Sequence, residues 1–136
     1  MIIEIKEDNK HLLDYFIKNN KLSNTFRYFN KRNSDVIKNH IVTLLLIEND
    51  IPIGYAHIDY DDEKHWFGIC ILEKYHGKGF GKQMMEYILS IEKIKKINNI
   101  YLTVDKINKI AIHLYTKHNF YILEEKEDYY LMLRNN

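Results

Sequence analysis

The chain has 136 residues, 20 of them lysine or arginine and 19 aspartate or glutamate, for a formal charge of +1. That length fits one domain, here residues 1–136, able to bury roughly two-thirds of its unfolded surface. The scattered, balanced charge excludes the basic footprint of a nucleic-acid binder. A single cysteine, Cys70, excludes an internal disulfide framework. With no signal-peptide pattern and no apolar run of about 18 residues, a reducing, cytoplasmic setting without membrane partners is expected.

Residues 2–5 alternate as a first strand. Leu12, Leu13, Phe16 and Ile17 recur at helical spacing and predict an amphipathic helix over residues 11–20. Residues 21–39 interleave Phe26, Tyr28 and Phe29 with Arg27, Lys31 and Arg32, and Ser34-Asp35 predicts the cap of a short second helix. Two β-branched and leucine-rich runs, 41–47 and 51–60, flank Glu48-Asn49-Asp50, a hairpin signal. In the second run Tyr55, His57 and Asp59 share one face, and Gly54, Ala56 and Ile58 the other. The first of these faces is polar enough to line a site.

A turn at Asp61-Asp62-Glu63 leads to a strand over residues 64–72, and a helix follows from about Phe80 to Asn98-Asn99 with Met84, Met85, Ile88 and Ile91 inward. Residues 100–104 form the next strand and 108–118 the next helix. Asn119 stands just past that helix, where a left-handed residue is usual. Strands over 120–123 and 129–133 close the chain.

Between strand and helix lies Lys74-Tyr75-His76-Gly77-Lys78-Gly79-Phe80-Gly81-Lys82, which holds three of the five glycines. Glycine permits positive φ, so several N–H groups can turn into one concavity, and the start of a helix adds more. The stretch is suited to an anion such as a pyrophosphate. Taken alone it also fits a flexible turn with two solvated lysines. A P-loop is excluded, since His76 stands where its first glycine belongs and Gln83 follows Lys82. A dinucleotide fingerprint is excluded by Met84 at its third small position.

The pattern His76-Gly77-Lys78-Gly79-Phe80-Gly81 resembles the acetyl-CoA loop of the GNAT acyltransferase superfamily, [Gln/Arg]-x-x-Gly-x-[Gly/Ala], with His76 in place of the usual Arg or Gln. A second stretch, from Asn108 through Ala111, Leu114 and Tyr115 to Asn119-Phe120, resembles the family's Asn-x-x-Ala-x-x-Leu-Tyr-x-x-x-Gly-Phe motif. Seven residues separate Asn108 from Tyr115, two turns with only about 20° of drift, so both can face one groove. The resemblance covers essentially the whole chain. It implies an α/β (α+β) fold with a mixed, mostly antiparallel sheet of six to seven strands, about four helices and the order β-α-α-β-β-β-α-β-α-β-β.

By that resemblance the chain is an acetyl-CoA-dependent N-acetyltransferase, acting by direct attack in a ternary complex as a monomer or homodimer. The pantetheine arm would pair with backbone at Ile69, Cys70 and Ile71. The pyrophosphate would lie at His76 and the amides of Gly77, Lys78, Gly79, Phe80, Gly81 and Lys82. Asn108 would bond the cofactor arm, and Tyr115 would protonate the departing thiolate. His57 and Asp59 are candidate bases, with His65 next, although each also reads as an ordinary packing or surface residue. Arg27, Tyr28 and Arg32 are candidate acceptor contacts. The family branch acting on ribosomal-protein N-termini has Glu where Leu102-Thr103-Val104 has Thr103. A small-molecule amine, such as an amino sugar, is therefore the expected acceptor, with a peptide amine or a non-catalytic acyl-CoA sensor as alternatives. No paired base supports a nucleophilic Cys70, and the seven histidines read as scattered, so no metal is expected.

Overall fold

Two short loops show how local chemistry sets the sheet. The computed structural model describes residues 1–22 and 26–136. Its strands are β1 (Ile2–Glu4), β2 (His40–Glu48), β3 (Ile51–Asp61), β4 (Lys64–Ile71), β5 (Asn99–Asp105), β6 (Tyr121–Glu125) and β7 (Tyr129–Asn135). Its α-helices are α1 (Lys10–Asn19), α2 (Phe80–Ser90), α3 (Glu92–Lys95) and α4 (Lys109–Lys117). Asn49 and Asp50, between β2 and β3, have φ of 50° and 64°, and Asp62 and Glu63, between β3 and β4, have 53° and 60°. Two successive left-handed residues match the twist of the flanking strands, which makes both connections tight hairpins.

The strands form one sheet in the order β1-β2-β3-β4-β5-β7-β6. Every pairing is antiparallel except β4 with β5. Leu13 and Phe16 of α1 are buried, and Phe16 stacks on Tyr55 of β3 with ring centroids 6.4 Å apart. Met84, Met85 and Ile88 of α2 are fully buried. The expected mixed, mostly antiparallel architecture and element order are borne out.

Two expectations change. The second helix is instead a pair of 3-10 segments, Tyr28–Asn30 and Ser34–Asn39, and the cap is Asn33, whose side chain accepts from the Asp35 amide at 2.9 Å. Over these short stretches the tighter 3-10 turn prevails. Residues 23–25 of that stretch lie outside the described residues. The helix expected to reach Asn98 breaks at Ile91, which is extended (φ −68°, ψ 133°). Ile88, Ile91, Ile94 and Ile97 recur every three residues, and on a straight helix each step drifts about 60° around the axis. The break lets Ile94 and Ile97 turn back into the core, where both are buried.

Candidate active site

The sheet opens where its one parallel pair parts. β4 and β5 pair only through His65 with Ile100 and Trp66 with Tyr101. Beyond those pairs lies a cleft of about 530 Å³ lined by residues of both strands, the glycine loop, α4 and the 26–32 segment. The Leu72 amide donates to Ile53 O on β3 at 2.9 Å. By alternation, the main-chain groups of Gly68 and Cys70 turn towards β3, while those of Ile69 and Ile71 turn into the split. His76 uses one of these: its Nε2–H donates to Ile71 O at 2.7 Å. The residue that replaces the usual Arg or Gln thus ties the loop to the end of β4.

The loop is shaped by backbone conformation. Gly77 and Gly79 have φ of 76° and 83°, and a Cβ on either would meet nothing within 4 Å. Torsion, not crowding, requires glycine at both positions. Gly79 is the N-cap of α2 and has no side chain to cap it, so the first-turn amides of Phe80, Gly81 and Lys82 have neither an intrahelical nor a capping acceptor. Gly81 serves closeness instead: a Cβ there would stand 3.3 Å from Leu114 Cδ2 on α4. Lys78 and Lys82 do not line the cleft. The Lys82 ammonium lies 3.9 Å from Glu86 one turn along α2, and that of Lys78 lies 5.7 Å from the Tyr75 ring centroid. The loop carries its polarity on amides, and both lysine side chains run to solvent.

Tyr115 is held by the end of its own helix. The Phe120 amide donates to Tyr115 O at 3.1 Å and the Asn119 amide to Thr116 O at 3.2 Å, with Asn119 at φ 71°. These are the two bonds of a Schellman cap, and its characteristic apolar contact is present as Tyr115 against Phe120 at 5.8 Å. Phe67 of β4 meets the Tyr115 ring edge to face at 6.1 Å. Burial raises the phenol well above its ordinary range, with the neighbouring Cys70 adding, so the hydroxyl keeps its proton at neutral pH. Asn108 caps the other end of α4, its Oδ1 accepting from the Ala111 amide at 3.2 Å while the residue lines the cleft.

The opposite wall is a side-chain network on β3 and the 26–32 segment, backed by His40 and Thr43 of β2. His57, 2% exposed, stands opposite Gly68, and a Cβ on Gly68 would come within 2.5 Å of its ring. Its Nδ1 lies 2.7 Å from Tyr55 Oη and its Nε2 3.5 Å from Asp59 Oδ2. Tyr28 Oη is 2.8 Å from His40 Nε2 and donates to Asp59 Oδ2 at 3.3 Å, and His40 Nδ1 is 2.7 Å from Thr43 Oγ1. Asp59 Oδ1 is buried without a hydrogen-bond partner. Burial holds His57 and His40 below the ordinary imidazole range, His40 down to about 3 with His57 adding, so both are neutral. Burial alone would raise the Asp59 carboxyl, but the hydrogen bond from His57 and the nearby His40 and Tyr28 outweigh it and the group stays ionised. Arg32 lies 4.5 Å from the Tyr28 ring centroid, and Arg27 closes a two-pronged ion pair, both contacts 2.9 Å, with Asp105 at the end of β5.

The cleft brings together Arg27, Tyr28, Arg32, His57, Asp59, Ile69, Cys70, Ile71, His76, Gly77, Gly79, Phe80, Gly81, Asn108 and Tyr115. His65 stays outside it, beside Tyr60. The histidines are not all scattered: His40 and His57 stack with centroids 4.5 Å apart and planes 13° apart. A β-bulge brings His40 onto this face. His40 pairs with Asp59 and Val42 with Ile58, so Ile41 is the extra residue. Simple alternation puts Ile41 opposite Asp59 and turns His40 to the other face. Although His40, His57 and Asp59 present ligand atoms within 4.8 Å of one another, a metal binds in the plane of an imidazole. Two nearly parallel stacked rings cannot share one unless His40 leaves both of its hydrogen bonds.

A family model described as the acetyltransferase (GNAT) family matches residues 7–120. The chain is 30% identical to N-alpha-acetyltransferase 50 of Danio rerio, over 94% of this chain and 80% of that one. It is 36% identical to the ribosomal protein bS18-alanine N-acetyltransferase of Haemophilus influenzae, over 65% of this chain and 61% of that one. Among solved structures, a GNAT-family acetyltransferase of Streptococcus pneumoniae has a similar fold, with a TM-score of 0.76 at 23% identity over 99% and 98% of the two chains. So does the PaiA N-acetyltransferase of Thermoplasma acidophilum in complex with coenzyme A, with a TM-score of 0.71 at 15% identity over 100% and 98%.

Proposed function

The chain belongs to the acetyltransferase (GNAT) family, and from that premise we propose that it moves an acetyl group from acetyl-CoA to the α-amine of a polypeptide. The split between β4 and β5, the open glycine loop and the uncapped start of α2 suit such a donor. Ile69 and Ile71 would hold its extended arm by main chain, and the amides from Gly77 to Lys82 its diphosphate. When bound, acetyl-CoA supplies an activated acyl carbon. In the transfer the amine nitrogen loses a proton and the thiol sulfur gains one. Tyr115, kept protonated by burial, is the proton donor to sulfur. Asp59 takes the N–H side. His57 has both ring nitrogens engaged and little exposure, so its part is to hold Asp59.

The observation that carries the choice of acceptor is the state of the wall's imidazoles and carboxylate: among the described residues, His57, His40 and Asp59 are each held below their ordinary range, which makes them weak bases. A lysine-like amine of pKa about 10.4 costs roughly 4 to 5 kcal/mol to neutralise at pH 7, against about 1 for an α-amine near pKa 8. This wall suits the second. The names of the two relatives, one an N-alpha-acetyltransferase and one acting on an alanine of a ribosomal protein, support the same class. The small-molecule amine expected from Thr103 is the second reading, since Thr103 lines the cleft where the related branch has its carboxylate. Thiol release would be followed with acetyl-CoA and three acceptors: peptides with a free N-terminus, the same peptides N-blocked but carrying lysine, and glucosamine. Turnover on the first set alone is expected. Turnover on glucosamine alone overturns the peptide reading, and coenzyme binding without turnover favours a sensor.

A further inference from the structure

The polar wall has one proton arrangement that satisfies its short contacts together, and it passes through a residue with no part in the proposed chemistry. A carboxylate oxygen only accepts, so the contact of Tyr28 Oη with Asp59 Oδ2 requires the phenol proton on that line. Tyr28 has one such proton, and its contact with His40 Nε2 must therefore be donated by the imidazole. His40 is thereby the Nε2–H tautomer, and its bare Nδ1 takes the Thr43 hydroxyl proton. On the other side Tyr55 donates to His57 Nδ1, and His57 Nε2–H is directed at Asp59 Oδ2. The Tyr28 hydroxyl thus donates to Oδ2, with His57 Nε2 3.5 Å from the same oxygen, while Oδ1 is buried without a partner.

We propose that His40 is a positioning residue of the acetyl transfer: its Nε2–H turns the Tyr28 hydroxyl onto Asp59 Oδ2 and so fixes the orientation of the carboxylate that takes the N–H of the acceptor amine. The inference rests on reading the cleft as an acetyl-transfer site. The opposite tautomer, Nδ1–H donating to Thr43, draws the phenol proton to His40 Nε2, strips Asp59 of that donor and leaves the carboxylate free to turn. The bulge at Ile41 is what lets a β2 residue take this role, since it sets His40 directly opposite Asp59.

Nitrogen-15 histidine spectra of the intact chain, assigned with His40→Gln and His57→Gln, read the tautomers directly. Both His40 and His57 are expected as Nε2–H with bare Nδ1. Kinetics with acetyl-CoA and a peptide bearing a free N-terminal alanine add the functional arm. His40→Leu is expected to lower kcat/KM for the peptide about tenfold while the KM for acetyl-CoA stays within twofold. His40→Gln, whose side-chain amide keeps a donor near Nε2, should recover most of that loss. Tyr28→Phe should match His40→Leu, and the double variant should lose little more. An Nδ1–H tautomer at His40 overturns the role, as does a folded His40→Gln no better than His40→Leu. Wild-type protein that binds no coenzyme A by calorimetry removes the acetyl-transfer reading and this role with it, whereas wild-type turnover with His40 in the Nδ1–H form removes the role alone.

Discussion

On the proposed reading one wall of the cleft holds the acyl donor and the other the acceptor, and the two are built from different parts of the chain. The donor wall is main chain: split strands, two glycines at positive φ and an uncapped helix start. The side chains of its Lys78 and Lys82 run to solvent. The acceptor wall is side chain: Tyr28, His40, His57 and Asp59 come from three segments and are ordered by hydrogen bonds. Main-chain recognition suits a ligand whose contact groups are phosphates and amides. Side-chain recognition suits an acceptor chosen among many amines. Substitutions on the first wall should therefore act through torsion, and on the second through protonation.

Tyr115, on α4 against Phe67 of β4, offers the sharpest test. Tyr115→Phe should lower kcat about 100-fold or more, in line with loss of a positioned acid, with coenzyme affinity by calorimetry within twofold. Undiminished kcat would leave the donor wall without an acid. On the donor wall itself, Gly79→Val forces a β-branched residue to φ 83°. A left-handed L-residue costs about 1–2 kcal/mol, so coenzyme affinity should fall roughly tenfold or more while the acceptor KM holds, provided circular dichroism shows the fold intact. Equal loss at both substrates would blur the distinction between the walls.

The acceptor wall should betray itself in stability against pH. His40 is near 3 in the folded chain and near 6.5 in the unfolded one, so between those values the unfolded chain binds the extra proton. Stability must then fall as pH drops from about 6.5 towards 3, by up to about 1.4 kcal/mol per pH unit for this one residue. The neighbouring His57 is held low as well and adds in the same sense. Urea unfolding at pH 7, 6 and 5 should show a shallower decline in His40→Gln. An identical decline would mean that His40 titrates normally in the fold.

Smaller effects concern the frame. Asn119→Ala keeps φ 71° at the cap behind Tyr115 and should cost about 1 kcal/mol by thermal unfolding, while Asn119→Gly should be neutral or slightly stabilising. Arg27→Gln removes an ion pair whose arginine side chain is 61% exposed and should change stability by less than about 1 kcal/mol.

Much of the donor wall was legible in the chain because its determinants are local. Glycines two residues apart, a helix beginning at Phe80 and an asparagine past a helix end each announce a backbone conformation within a few positions. The tight turn at Asn49-Asp50 was legible for the same reason. The break at Ile91 was hidden, since it follows from which isoleucines the core will accept. His40 was hidden by the bulge at Ile41, and the pairing of Arg27 with Asp105 by 78 positions of sequence.

The succession of strands, the helices α1 and α4, the glycine turn before α2, the left-handed cap at Asn119 and the polar face of β3 were settled by residue type and spacing alone, because torsional preference and alternation act over a few bonds. Which side chains meet across that face, how far β4 and β5 part, and which imidazole nitrogen carries its proton depend on segments distant in the chain arriving at one place. Those were decided only by tertiary packing, where a single bulged residue turns His40 from one face of the sheet to the other.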